Sequence, residues 1–198
     1  NAELQTLLDQ TSAAAYGAEQ MQLGLIGSHF TNQIIDHVDL YPGAVHTASV
    51  WLAPYGASAE MTSDTVSGLD TSMGGLAIGF DIPVGSGLIG IAASGTYFDS
   101  TSEGNESMNA DGELYQIGLY TSYAAQGWIA SASIDGGQTV DVNVSRNVVS
   151  GGTTSNMSSD GQATVYSGQG RLSYDIPTGM NHVRPFVGVV AQQVTRDA

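Results

Sequence analysis

Seven stretches of alternating residues, joined by connections that are long and short in turn, constrain this 198-residue chain more than any other feature. In Gly74 to Val84 the even positions are Leu76, Ile78, Phe80, Ile82 and Val84, and the odd ones are Gly75, Ala77, Gly79, Asp81 and Pro83. A period of two places the first set on one face of a strand and the second on the other. Tyr166 to Ile176 repeats the pattern, with Tyr166, Leu172, Tyr174 and Ile176 opposite Ser167, Gln169, Arg171, Ser173 and Asp175. Similar alternation runs through Val50 to Met61, Leu88 to Asp99, Leu114 to Ala124, Gly127 to Asp135 and Val183 to Gln193. Each segment is close to the ~9–11 residues with which a tilted strand crosses a bilayer.

Long polar segments follow the first, third and fifth stretches: Thr62 to Ser72, Ser100 to Gly112 and Gly136 to Gly161. Tight turns follow the second, fourth and sixth: Gly85-Ser86-Gly87, Ala125-Gln126-Gly127 and Thr178-Gly179-Met180. Two of these turns share a lead-in, Asp81-Ile82-Pro83 and Asp175-Ile176-Pro177. An up-and-down meander built this way has its long loops at one end and its short turns at the other, the asymmetry of outer-membrane barrels. A soluble β-sandwich also alternates. Its solvent face, however, carries Lys and Glu where this chain carries Gly, Ala and Ser.

Upstream the period is different. Glu3 to Val38 reads as helix, with Leu4, Leu7, Leu8, Leu23, Ile26, Phe30 and Ile34 at helical spacings, until Tyr41-Pro42-Gly43 stops it. Gly17, Gly24 and Gly27 each cost this helix about 1 kcal/mol relative to alanine and make it thin. A long helix followed by a meander with a small inner face favours a barrel whose interior is filled.

Charge excludes other functions. Acidic residues number 19 against four arginines and no lysine, a formal net charge of -15, so nothing is available to neutralise a nucleic-acid backbone. Much of the acid lies in or beside the long loops, at Asp64, Asp70, Glu103, Glu106, Asp111, Glu113, Asp141 and Asp160. That predicts an anionic rim suited to divalent cations. Gly85-Ser86-Gly87-Leu88-Ile89-Gly90 matches a dinucleotide fingerprint letter by letter. A phosphate site needs a helix after the glycines, and here a strand pattern follows, so the segment reads as a hairpin. His29 and His37 lie two helical turns apart, too far to share an ion, and read as a solvated helix end. No serine stands in a Gly-x-Ser-x-Gly elbow. Asn105-Glu106-Ser107, Asn143-Val144-Ser145 and Asn156-Met157-Ser158 are formal glycosylation acceptors that read as polar loop.

The order of these segments resembles the translocator domain of the monomeric autotransporters of Gram-negative outer membranes. Leu8-Asp9-Gln10-Thr11-Ser12 through Ala15-Tyr16-Gly17-Ala18 is similar to the family's helix, and Val50-Trp51-Leu52-Ala53-Pro54-Tyr55-Gly56 to its first strand. Gly74 to Asp81, Tyr115 to Tyr120 and Arg184-Pro185-Phe186-Val187-Gly188 resemble later strands. The resemblance implies a transmembrane antiparallel β-barrel of about a dozen strands, with the helix threaded through its pore. Seven of those strands fall within this sequence. Residues 1–48 would then be pore helix and linker, and residues 49–198 a barrel domain lacking its C-terminal strands. The implied role is secretion and surface display of an upstream passenger, with barrel-assembly machinery and outer-membrane lipid as partners. No enzyme activity, cofactor or metal is expected, and no Asn-Asn pair supports self-cleavage. Leu76, Ile78, Phe80, Ile82, Leu172 and Tyr174 are the expected lipid-facing residues, and Leu8, Tyr16, Leu23 and Phe30 the expected pore-helix residues. A soluble acidic β-rich adhesion or binding module is the alternative.

Overall fold

A computed structural model describes residues 13–40, 47–61, 69–102, 108–150, 153–178 and 181–196. Leu8, the Tyr41-Pro42-Gly43 stop and the Asn105-Glu106-Ser107 acceptor lie outside them. Helix α1 spans Ala13–Leu40, within the predicted helix at its start and two residues beyond it at its end. Among the described residues no helix is long and apolar enough to cross a membrane.

Strands β1 (Ser49–Met61), β2 (Leu69–Val84), β3 (Gly87–Ser102), β4 (Met108–Ala125), β5 (Trp128–Ser150), β7 (Ala163–Tyr174) and β10 (Phe186–Arg196) form an antiparallel meander in which each neighbours the next. These are the seven predicted stretches, mostly longer than alternation alone indicated. Among the described residues β1 and β10 are the edges of an open sheet. The sheet curls around α1, which touches all seven of its strands.

The segment Gly136 to Gly161 departs from expectation. It is strand, not loop: β5 runs on to Ser150 and returns as β6 (Thr153–Gly161), which pairs with it from Val142↔Gly161 to Ser150↔Thr153. Where β5 exchanges β7 for β6 as its neighbour, Asp141 takes φ 53° and the β4–β5 register slips between Asp111 and Glu113. Two β5 residues there oppose Gly112, a bulge of the kind that re-aims a strand. The last connection also holds a ribbon, β8 (Ile176–Thr178) with β9 (Asn181–Val183). The two remaining tight turns are hairpins, with φ 60° at Gly85 and φ 53° and 84° at Gln126 and Gly127. Left-handed φ at both central residues of the latter matches the type I′ turn, whose twist suits flanking strands. The fingerprint Gly85 to Gly90 therefore opens a strand.

The core lies between helix and sheet. Leu23 and Ile26 pack with Phe98, Leu114, Val142, Ala163 and Val165 toward the long-loop end. Phe30, Ile34 and Val38 pack with Ala77, Leu88, Ala92 and Tyr120 toward the short-turn end. The N-terminal end of α1 thus points to the long loops, and its C-terminal end returns the chain to Ser49, which pairs with Asp81 beside the first short turn.

Candidate functional site

Two surfaces carry the chemistry of this fold, the polar seat of α1 and the apolar outer face of the sheet.

The seat begins with close approach. A Cβ on Gly27 would stand 2.8 Å from Val165 Cγ1 and 3.1 Å from Gln192 Nε2. The helix backbone therefore lies directly on β7 and β10, which only glycine permits at that distance. Its carbonyls are read by the wall: Gln192 Nε2 donates to the Gly24 oxygen at 2.8 Å, and Gln116 Nε2 to the Gly27 oxygen at 3.2 Å. One turn on, Thr31 Oγ1 donates to buried Asp135 Oδ2 at 2.8 Å, while Gln116 Nε2 also reaches Asp135 Oδ1 at 3.0 Å. A carboxylate removed from water needs such donors, because leaving it bare is costly.

Asp81 anchors the next level. It is fully buried on the small face of β2 and accepts from His37 Nε2 at 2.8 Å, from Ser49 Oγ at 2.9 Å and from the Tyr120 hydroxyl. Trp51 Nε1 in turn donates to the Tyr120 oxygen at 2.6 Å, and the Trp51 ring stacks on His37 with centroids 4.6 Å apart. His37 is thus seated against the wall, with a side chain only 10% exposed. This corrects the expectation of a solvated helix end. The aromatic rings fit because glycines lie beneath them: a Cβ on Gly79 would overlap Trp51, and one on Gly90 would overlap Tyr120.

At the C-terminal end, Asp39 forms an ion pair with Arg171, and Arg184 Nη1 donates to the Asp39 carbonyl at 2.7 Å. Arg171 lies over the Phe186 ring, 4.6 Å from its centroid. Two of the chain's four basic side chains therefore meet the end of the helix where its dipole is negative. Sequence reading missed Asp39, Asp81 and Asp135 as anchors. The signal available was their place: Asp81 and Asp135 fall on the small faces of their strands, where a charge must have partners.

The outer face is the opposite in character. Leu76, Ile78, Phe80, Ile82, Leu172 and Tyr174 are all exposed, together with Ile89, Ile91, Ile117, Leu119 and Ile134 on the strands between. A contiguous patch of this kind exceeds what soluble monomers leave in water. Tyrosines bound it: Tyr115 and Tyr123 on β4, and Tyr166 and Tyr174 on β7, are exposed and eight residues apart. Eight residues rise about 27 Å along a strand. At the usual ~40° tilt this gives a band roughly 21 Å tall, near the ~25 Å of membrane barrels. Leu23 and Phe30 are buried against the wall, and Tyr16 lies on α1.

At the long-loop end Glu60, Asp70 and Asp99 line one hollow. Among the described residues no three His, Cys, Asp or Glu side chains come together as a metal site.

A protein-family model, the autotransporter beta-domain, matches residues 50–198. No curated protein matches the chain. The crystal structure of the beta domain of the Bordetella autotransporter BrkA superposes with a TM-score of 0.58 at 15% identity, over 75% of this chain. The chain spans 58% of the length of that relative.

Proposed function

We propose that this chain, which belongs to the autotransporter β-domain family, anchors an upstream passenger in the outer membrane and supports its export to the cell surface. The family's domains are outer-membrane β-barrels of Gram-negative bacteria with a translocating and anchoring role, joined to a passenger. In this reading residues 1–48 are the pore helix and linker, and residues 49–198 belong to the barrel wall. Leu76, Ile78, Phe80, Ile82, Leu172 and Tyr174 face lipid, while Leu8, Tyr16, Leu23 and Phe30 belong to the helix in the pore. The long loops face the outside of the cell. The chain acts by positioning, without catalysis, and folds with the help of the cell's barrel-assembly machinery.

The observation that carries this reading is the pairing of a tyrosine-bounded apolar exterior with a helix seated on a polar interior. The direction of α1 supports it further, since its N-terminal end, where a passenger would attach, points toward the long loops. The domain is expected to fractionate with outer membranes and to show heat-modifiable migration in detergent. The chain has no native cysteine, so single cysteines can be read without background. Cysteines at Leu76, Ile78 or Phe80 are expected to resist aqueous thiol reagents that label one at Ser67. Equal labelling at all four positions, or purification as a soluble monomer without detergent, overturns the assignment.

A further inference from the structure

Six uncharged polar atoms of the inner wall have no hydrogen-bond partner among the described residues: Oγ of Ser94, Ser122, Ser131 and Ser133, and Oε1 of Gln116 and Gln169. None of these residues is more than 9% exposed. They stand in register across the wall, Ser94 opposite Gln116, Ser133 opposite Gln169 and Ser131 opposite Ser122, with the Asp135 row between the first pair and the other two. From Gln116 to Ser122 the track runs about 20 Å along β4. The helix does not complete it. Thr31 and Asp39 of α1 bond to Asp135 and Arg171, and Ile35, one turn from each, lies over the Ser133 and Gln169 row. Ile35 is fully buried and offers a hydroxyl nothing. On the other flank, beside Phe30, Ile34 and Val38, the same need for small side chains is met by Ala77 and Ala92. A buried hydroxyl without a partner destabilises the state that buries it, so alanine would seat the helix better on the serine flank too. The hydroxyls therefore serve a state in which α1 does not cover them.

We propose that this serine and glutamine track binds the backbone of the extended polypeptide that crosses the pore before α1 is seated, so that Ser122, Ser131, Ser133 and Gln169 are positioning residues for export. The inference rests on the export reading above. An extended chain confined to a channel the width of one helix carries N–H and C=O groups that need partners. A serine hydroxyl both donates and accepts, and a glutamine oxygen accepts, so the track answers either group. The spacing agrees: an extended chain turns like groups to one side every second residue, about 7 Å apart, and the inward rows of the wall recur at the same interval. Uncharged partners of this kind read backbone and leave side-chain sequence unread, as a passage for a long and varied chain requires.

The test uses the full-length precursor with its own passenger in cells. Ser122→Ala, Ser131→Ala and Ser133→Ala are combined, and two quantities are read: passenger reaching the cell surface in a pulse–chase, and the unfolding midpoint of the domain in detergent. Export is expected to slow about three-fold or more, the scale set by losing a few weak hydrogen bonds from a transit barrier, while the midpoint holds or rises. Ser133→Ala alone is expected to give part of the slowing, and Ser133→Thr, which keeps the hydroxyl, to export at the unsubstituted rate. Unchanged export in the triple variant overturns the proposal and leaves water as the partner of these groups in the open pore. A lowered midpoint overturns it as well, because the hydroxyls would then serve the seated helix, and so does export that follows side-chain size and not the hydroxyl. An unsubstituted domain that brings no passenger to the surface overturns the export reading itself.

Discussion

Gly90→Ala isolates the steric logic of the helix seat. A Cβ on Gly90 would lie 2.5 Å from Tyr120 Cε2 and closer still to Cζ and the hydroxyl. The ring is 2% exposed and packs in the cluster that holds Phe30 and Ile34, so it cannot swing into solvent without opening that core. Overpacking of a filled site costs about 1–3 kcal/mol. Displacing the hydroxyl also removes its donation to Asp81 and its acceptance from Trp51 Nε1, and a hydrogen bond to a charged group contributes about 1.5–3 kcal/mol. The expected loss is therefore about 2–6 kcal/mol, read as a lowered midpoint in denaturant unfolding followed by heat-modifiable migration in detergent. Gly74→Ala, with nothing within 4 Å of its new Cβ, provides the comparison and should change stability little. In a Tyr120→Ala background the Gly90→Ala cost should nearly vanish, because the overlapping ring is gone. Equal midpoints for Gly90→Ala and Gly74→Ala would refute the reasoning. So would a Gly90→Ala cost that persists undiminished in Tyr120→Ala.

Leu119 stands midway between Tyr115 and Tyr123, so Leu119→Arg should cost about 2–4 kcal/mol when folding is measured in lipid bilayers; a neutral result there would contradict a lipid-facing band. Asp39→Asn and Arg171→Met should each destabilise by about 1–3 kcal/mol, because their paired charges are mostly removed from water. In a double-mutant cycle the second loss should be smaller than the first, and strict additivity would mean the pair contributes nothing. Gln126 holds φ 53°, where a branched chain is disfavoured by about 1 kcal/mol. Gln126→Gly should accordingly raise the unfolding midpoint slightly, whereas Gln126→Val should lower it.

What could be read from the sequence and what could not divide along physical lines. The meander was legible because one face of each strand is bulky and the other small, a contrast with a period that survives any register. The β5–β6 hairpin was not, because its return arm, Thr153 to Gly161, is polar or small on both faces apart from Met157, and alternation without a difference in polarity gives no signal. The helix was legible from its apolar stripe, yet its seat was not. Hydrogen bonds such as Gln192 to Gly24 or Arg184 to Asp39 join residues more than a hundred positions apart, and no local pattern encodes them.

Charge carries the same lesson further. With no lysine and four arginines in the whole chain, composition alone names no partner for an acid on the helix such as Asp39. The partner of Asp39 lies instead on the wall, where Arg171 sits on the inner face of β7 and Arg184 in the connection before β10. At the level of His37 and Asp81 the sense is reversed, with the acid on the wall and the imidazole on the helix. The two levels are two residues apart on α1 and lie on different strands, β2 and β7, so they cannot be satisfied together by a helix rotated within the sheet. A helix shifted by one turn would pair neither Asp39 with Arg171 nor His37 with Asp81, and would leave Arg171 and the buried Asp81 without their helix partners. Burying an unpaired charge costs far more than a solvated ion pair yields. The few charges inside this domain therefore act on register: they make every alternative position of the helix expensive, while the apolar contacts of Phe30, Ile34 and Val38 supply the attraction that holds it at the one allowed.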